Sequence, residues 1–243
     1  MISNVFHLLF YDPMYNGLAF LLDTVSFGDV GVAIIVLTIV VKLILFPVSK
    51  NAVRTQLVMK KLEPELQAIR EKYANDRQTQ MQKTLELHRQ NDINPLSNIL
   101  LIFIQIPIII ALYWVFARGG LPTIDTSILY SFVPVPEMPS MHFLGLIDMS
   151  GRSVFLALLT GITQFYQVKL TLPPPKKKSD KPTLKEDLTH SFHLQMRYVM
   201  PIFIAVFAYV ISAAVALYWI TSNMFAIGQE LVIRKQVRSK FES

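Results

Sequence analysis

The sequence predicts an all-α polytopic membrane protein with five transmembrane helices, and three observations lead there. Of its 243 residues 52% are hydrophobic and only 16% are charged, against about 25% charged in ordinary soluble domains. Four long apolar segments stand out, at residues 30–48, 95–117, 153–168 and 198–228. The 23 Lys and Arg residues fall in blocks between them rather than evenly, which makes the placement of the +6 net charge more informative than its size. The chain has no cysteine, which excludes disulfides, thiolate metal sites, cysteine nucleophiles and a lipid-bearing N-terminal cysteine.

Residues 1–27 contain "VFHLLFYDPMYNGLAFLL" and no Lys or Arg precedes Lys42. The positive n-region of a secretory signal is therefore missing, and an extracytoplasmic interfacial helix is expected. An irregular apolar lead-in is the alternative. The first span covers 28–50. At 1.5 Å per residue, 30–48 alone makes about 28 Å of helix, close to the hydrocarbon thickness of a bilayer. The second span covers 94–117. The third covers 152–170, and its apolar stretch 153–168 is short, suiting a thin bilayer or interfacial aromatic ends.

The segment 198–228 would form about 46 Å of helix, too long for one upright pass. Charge resolves it. Residues 50–93 hold nine Lys/Arg, residues 169–197 hold seven and the tail after 228 holds four, whereas 118–152 holds two. The positive-inside rule puts 51–93, 171–197 and the basic tail 233–243 in the cytoplasm, with the N-terminus and the loop 118–151 outside. Both flanks of 198–228 then lie on one side, so the segment crosses twice, as spans 198–211 and 212–232, turning near 210–216.

Residues 51–93 read as a cytoplasmic helical hairpin turning at Asn75-Asp76. Leu62, Leu66, Ile69 and Tyr73 recur at helical spacing and face a sparser Met81, Leu85 and His88. Such a thin seam predicts a weakly held hairpin. The Pro/Lys-rich "LPPPKKKSDKPTLKEDLTHS" predicts a disordered cytoplasmic loop.

Lys42 is the only charged residue between Val30 and Val48, and a charge at mid-span costs about 2.5–3.5 kcal/mol on insertion scales. Polar residues share helix faces with it: Thr38 and Ser49 on the first span, Asn98 and Gln105 on the second. Thr160, Thr163, Gln164 and Gln167 lie on the third, and Tyr218, Ser222 and Gln229 on the last. Each stripe alone is readable as packing glue between helices. Four stripes plus a cation predict a hydrated cavity within the membrane. No Asp or Glu occurs in the four segments, so the negative charge meeting Lys42 is expected from outside: a headgroup, an anion or an acidic client side chain.

No P-loop, HExxH, GxSxG or GxGD motif occurs, and His190 and His193 sit in a polar stretch without Cys or a suitable carboxylate cluster. Neither metal nor cofactor is implied, and an enzyme is disfavoured.

In order along the chain, "GVAIIVLTIVVKLILFPVSK", "KKLEPELQAIREKY", "NPLSNILLIFIQIPIIIALYWVF", "MPIFIAVFAYV" and "ALYWITSNMFAIGQE" resemble the YidC/Oxa-type membrane protein insertases. The resemblance implies five core helices around a groove open to the cytoplasm and lipid, in a minimal form without the large extracytoplasmic domain of some relatives. It implies an inner-membrane location, nascent membrane proteins and the lipid bilayer as partners, and no sequence-specific nucleic acid. The ribosome, a targeting receptor and the Sec translocon are further partners it suggests. The groove would be lined by Lys42, Thr38, Gln105, Thr163, Gln164, Gln167, Tyr218, Trp219 and Ser222. Thr38 and the pair Tyr218-Trp219 match the family pattern. Lys42 stands where the family usually has arginine, which keeps the charge without bidentate carboxylate pairing, and "SAA" at 212–214 replaces a common Pro-Ser-Gly-like turn. Two other classes stay open. One is a small-anion transporter or channel using Lys42, against which the lack of inverted repeats and broken helices weighs. The other is an assembly scaffold.

Overall fold

The computed structural model describes residues 2–91, 93, 96–117, 123–137, 139–172 and 184–242. Of the stretch 172–191 expected to be disordered, 173–183 lies outside them, as does the side chain of Asn98, whereas 184–191 is helical, a correction to that expectation. The described residues are mostly helical and cluster into two compact units, Met1–Leu43 with Ile106–Gly228, and Ile44–Gln105 with Gln229–Ser243.

In the first unit, α1 (Ile2–Phe6), a π-helical turn (His7–Tyr11) and α2 (Asp12–Thr24) follow one another without a break. Phe6, His7 and Tyr11 gather round Trp114, with ring centroids at 5.0, 6.2 and 6.4 Å. Trp114 belongs to α7 (Leu96–Ala117). Met14, Tyr15, Leu18, Ala19, Leu21 and Leu22 bury one face of α2, while Val5, Leu8, Leu9 and Phe20 stay exposed. Gly17 lets α2 lie close to α3 (Val30–Ile44): a Cβ there would stand 3.0 Å from Leu37 Cδ1.

Short polar contacts close the end where α3 begins. Asp29 caps α3 by accepting from Val32 N–H at 3.0 Å, and its other oxygen accepts from Leu144 N–H at 2.7 Å. Asn16 accepts from Tyr130 N–H at 2.6 Å and donates to the Ile128 carbonyl at 3.0 Å, and Tyr15 Oη accepts from Asp125 N–H at 2.7 Å. A hairpin of β1 (His142–Phe143) and β2 (Ile147–Asp148) is the one two-stranded exception to the helical fold among the described residues, and Phe143 packs against the face of Gly31. Hydrogen bonds from Ser127 and Ser150 hold the carboxyls of Asp125 and Asp148 below the usual range.

Helix α8 (Val154–Thr171) starts at Ser153, whose hydroxyl accepts from Leu156 N–H at 3.3 Å. It packs on α10 (Met200–Ile211) through Gly161, where a Cβ would come within 3.1 Å of Ala205 Cβ and 3.4 Å of the Pro201 carbonyl. Helical structure begins well ahead of the expected residue 198, with α9 (Leu184–Leu194) leading through a π-helical turn (Gln195–Val199) into α10. The physical reason is local. No Gly or Pro occurs from Leu184 to Met200, and the widened turn just before Pro201 accommodates its missing N–H.

The helix stops at Ser212, extended at φ −170° and ψ 162°, and α11 (Ala213–Glu242) starts at once. Its first amides are satisfied in place: Ala213 N–H donates to Gly151 O at 2.8 Å, Ala214 N–H to Met149 O at 3.1 Å, and Val215 N–H to Ser212 Oγ at 3.4 Å. Ala213, Ala214 and Ala216 are small enough to bury this reversal completely.

Among the described residues His190–Ile211 is by itself long and apolar enough to cross a membrane, and Val30–Ile44 with α4 (Phe46–Lys61) reaches that measure as a broken pair. The break was not expected. Leu45 stands between the two helices, and Pro47 in the first turn of α4 cannot bond the carbonyl four residues back. Unbroken helices therefore no longer weigh against transport, and that discrimination rests on other grounds.

The second unit contains α4, α5 (Glu63–Lys72) and α6 (Arg77–Gln90). Val58, Leu62, Leu66, Leu87 and Ile93 form its core, with Met59 and Ile69 packed alongside. Tyr73 to Asp76 turn between α5 and α6, and Gln80 Nε2 clips the hairpin by donating to Arg70 O at 3.0 Å. The seam is partly the expected one: His88 is buried as expected, but Met81 and Leu85 are exposed and Leu87 faces inward in their place. The end of α6 and the chain beyond it meet the junction of α4 and α5, so the middle of α6 has nothing apolar to cover it.

Candidate functional site

Thr38 is buried on α3 and turns its hydroxyl back to Ile34 O at 2.6 Å. Lys42 follows one turn later, half-buried, in the last turn of a helix that ends at Ile44. The sequence suggested a charge stranded in mid-helix. At a C-terminus the last carbonyls are turned outward, and the helix dipole favours a cation there by about 0.3–1 kcal/mol in exposed settings. The break at Leu45 and the charge at Lys42 thus belong together.

Helices α8 and α11 share a polar seam. Thr160, fully buried, donates to Leu156 O at 2.9 Å and, across the helices, to Ala216 O at 3.2 Å. Asn223 Nδ2 donates to Thr163 Oγ1 at 3.2 Å. Thr163 is thereby engaged in holding two helices together. Farther along α8, Gln164 Nε2 faces Gln167 Oε1 at 3.5 Å, and Gln167 Nε2 donates to Thr171 Oγ1 at 3.2 Å. Gln164 Oε1 is buried and accepts no hydrogen bond among the described residues, a situation that costs about 1–3 kcal/mol unless a donor arrives.

On α11, Tyr218 and Ser222 are buried, and Trp219 meets Phe207 of α10 edge to face at 6.0 Å. Of the nine candidate residues, eight lie in the first unit; Gln105, half-buried on α7, belongs to the second. Within the second unit Gln229 Nε2 donates to Ser49 Oγ at 2.6 Å, and buried Glu230 accepts from Arg234 Nε at 2.7 Å.

Sequence reasoning missed Asn223 and Glu230. Asn223 had a usable signal, an amide in an apolar helix beside Ser222. Glu230 lies just past the apolar run, where a charge attracts no notice. Among the described residues no three His, Cys, Asp or Glu converge as a metal site.

The described residues are mostly helical, with apolar helices and polar groups held between them, the composition of a membrane protein. Residues 22–240 match the family described as 60Kd inner membrane protein, and the chain belongs to that family, the one its motifs resemble. The membrane protein insertase YidC of Fusobacterium nucleatum is 35% identical over 228 residues, covering 93% of this chain and 97% of that protein. The Oceanobacillus iheyensis protein of the same name is 34% identical, over 86% of this chain and 76% of its own length. The insertase YidC of Nitrosococcus oceani is 31% identical over 88% of this chain, but the chain spans only 34% of that longer relative.

Proposed function

We propose that the chain is a membrane protein insertase that performs no covalent chemistry. Five spans, at 28–50, 94–117, 152–170, 198–211 and 212–232, cross the inner membrane with the N-terminus outside and the C-terminus in the cytoplasm. Thr38, Lys42, Thr163, Gln164, Gln167, Tyr218, Trp219 and Ser222 line a groove open to the cytoplasm. The polar flank of a nascent segment enters it, drawn by Lys42 where that flank is acidic. The buried Gln164 Oε1 offers the flank an acceptor. The apolar part of the segment contacts aliphatic helix faces and leaves into lipid.

The driving force is that transfer, at about 25 cal/mol per Å² of apolar surface removed from water, with a contribution from the membrane potential for charged flanks. The cytoplasmic hairpin, with its basic surface and thin core, receives the chain or its delivery machinery.

One observation carries the reading: residues 22–240 match a family whose similar members bear the name membrane protein insertase. The test is reconstitution of the pure full chain in liposomes with a short single-span client. Client segments protected from added protease are expected. Protection no greater than in protein-free liposomes would refute the proposal.

A further inference from the structure

Three apolar side chains stand out from the end of the first unit where α3 begins. Phe27 is 100% exposed, Leu146 84% and Leu144 64%. The fold brings their segments together. Asp29, two residues after Phe27, accepts from Leu144 N–H at 2.7 Å, and Ser140 N–H donates to Gly28 O at 2.7 Å. Leu144 and Leu146 flank Gly145 in the turn between β1 and β2.

Phe27 and Leu144 both have φ of 51°, and Gly28 and Gly145 beside them have φ of 81° and 72°. A bulky residue in the left-handed region is an outlier that persists only where surrounding structure enforces it. Here the Asp29 and Ser140 contacts enforce it, and the result is to hold two large apolar side chains outward. Folding alone gains nothing from that.

We infer that Phe27, Leu144 and Leu146 form an apolar tip that inserts into the outer leaflet of the bilayer and fixes the depth of this end of the protein. The inference rests on the spanning orientation proposed above. Two observations favour lipid over a protein partner. The residues stand outward on two tight turns, and side chains presented singly on turns suit fluid acyl chains better than a shaped pocket. At the same loop, where α8 and α11 also begin, Arg152 lies over the ring of Tyr209 with its Cζ 6.0 Å from the centroid. Tyrosine is enriched at headgroup level and long basic side chains extend their charge into it, so this pair suits that layer. Phe27 stands three residues before Val30, the first residue of α3, within reach of that same layer.

The chain has no cysteine, so single cysteines at 27, 144 or 146 can each carry a nitroxide whose signal reports one position. In liposomes bearing the full chain, collisions with oxygen and with a water-soluble nickel chelate are compared for these labels. A label at Val206, exposed on α10 one turn deeper than Tyr209, and one at Asn75, in the hairpin turn, serve as references. The tip labels are expected to favour oxygen over nickel several-fold, like Val206 and unlike Asn75. Nickel access equal to that at Asn75, or low access to both reagents as under a protein partner, overturns the inference. If Val206 still reads lipid and client insertion persists, only the tip is refuted; if Val206 reads water, the spanning reading falls with it. In a Phe27→Asn, Leu144→Asn chain, whose residues accept left-handed backbone, the label at 146 is expected to become nickel-accessible. An unchanged label there would equally overturn the role given to those two side chains.

Discussion

Asn223 Nδ2 donates to Thr163 Oγ1 across 3.2 Å, linking α11 to α8 over a separation of 60 residues in sequence. Asn223 is buried and Thr163 half-buried. Thr163→Val removes the acceptor while keeping the shape, leaving a buried amide with one partner fewer. Interhelical hydrogen bonds in membranes average about 0.6 kcal/mol and reach about 1.7. The expected loss is about 1 kcal/mol in denaturant unfolding of the micelle-bound protein. Thr163→Ser should lose little, and Thr163→Val with Asn223→Leu should recover part of the loss. Client insertion should fall at least in proportion to the folded fraction.

Gly161 sets the spacing of α8 and α10. An added Cβ at 3.1 Å from Ala205 Cβ needs a shift of a few tenths of an ångström, with the Pro201 carbonyl at 3.4 Å limiting the escape. Gly161→Val adds branched bulk that neither neighbour can clear, and overpacking of this kind costs about 1–3 kcal/mol. Lowered thermal stability is expected, partly restored by Ala205→Gly. Full stability of Gly161→Val alone would show that the two helices separate freely.

The hairpin should carry a pH signature at Asp76. Its carboxylate accepts from Thr79, with an N–H···O distance of 3.0 Å, and these hydrogen bonds hold its pKa below the ordinary value. A depressed folded-state pKa contributes stability that is present above the unfolded value, about 3.9 for Asp, and is lost as pH falls through the folded one. Amide protection at the start of α6 is therefore expected to be flat from pH 7 to pH 5 and to drop below about pH 4. Asp76→Asn keeps an acceptor and should remove that drop; Asp76→Ala should lose protection already at pH 7.

The helical class and the family were legible because composition, charge blocks and ordered motifs are properties of the chain itself. Lys42 was legible as the single charge in its run. Its setting was not, since the importance of Pro47 depends on the helix stopping at Leu45 rather than bending past it. The inward face of α6 was misjudged for a similar reason: Met81 and Leu85 keep helical spacing with His88, but burial follows whichever turn meets the α4–α5 junction, and that turn is Leu87. Partners such as Thr163 and Asn223 depend on the rotation of two helices distant in sequence, which no local pattern encodes.

Lys42 gives the most direct test of the electrostatic step. It stands in the last turn of α3, and any acidic group approaching it there interacts in a medium less polar than bulk water, where a unit charge pair at 4 Å is worth about 4 kcal/mol at an effective dielectric of 20. Lys42→Ala removes this attraction and should slow clients with acidic translocated flanks several-fold in protease-protection assays. Clients with neutral flanks should be affected little. Lys42→Arg retains the charge and should insert acidic-flank clients at least as well, with a gain where the guanidinium pairs a carboxylate through two hydrogen bonds. Raising salt should narrow the difference between wild type and Lys42→Ala if water reaches the residue, since screening needs mobile ions nearby. Equal handling of acidic and neutral clients by Lys42→Ala would remove charge attraction from the mechanism and leave transfer into lipid as its only driving force.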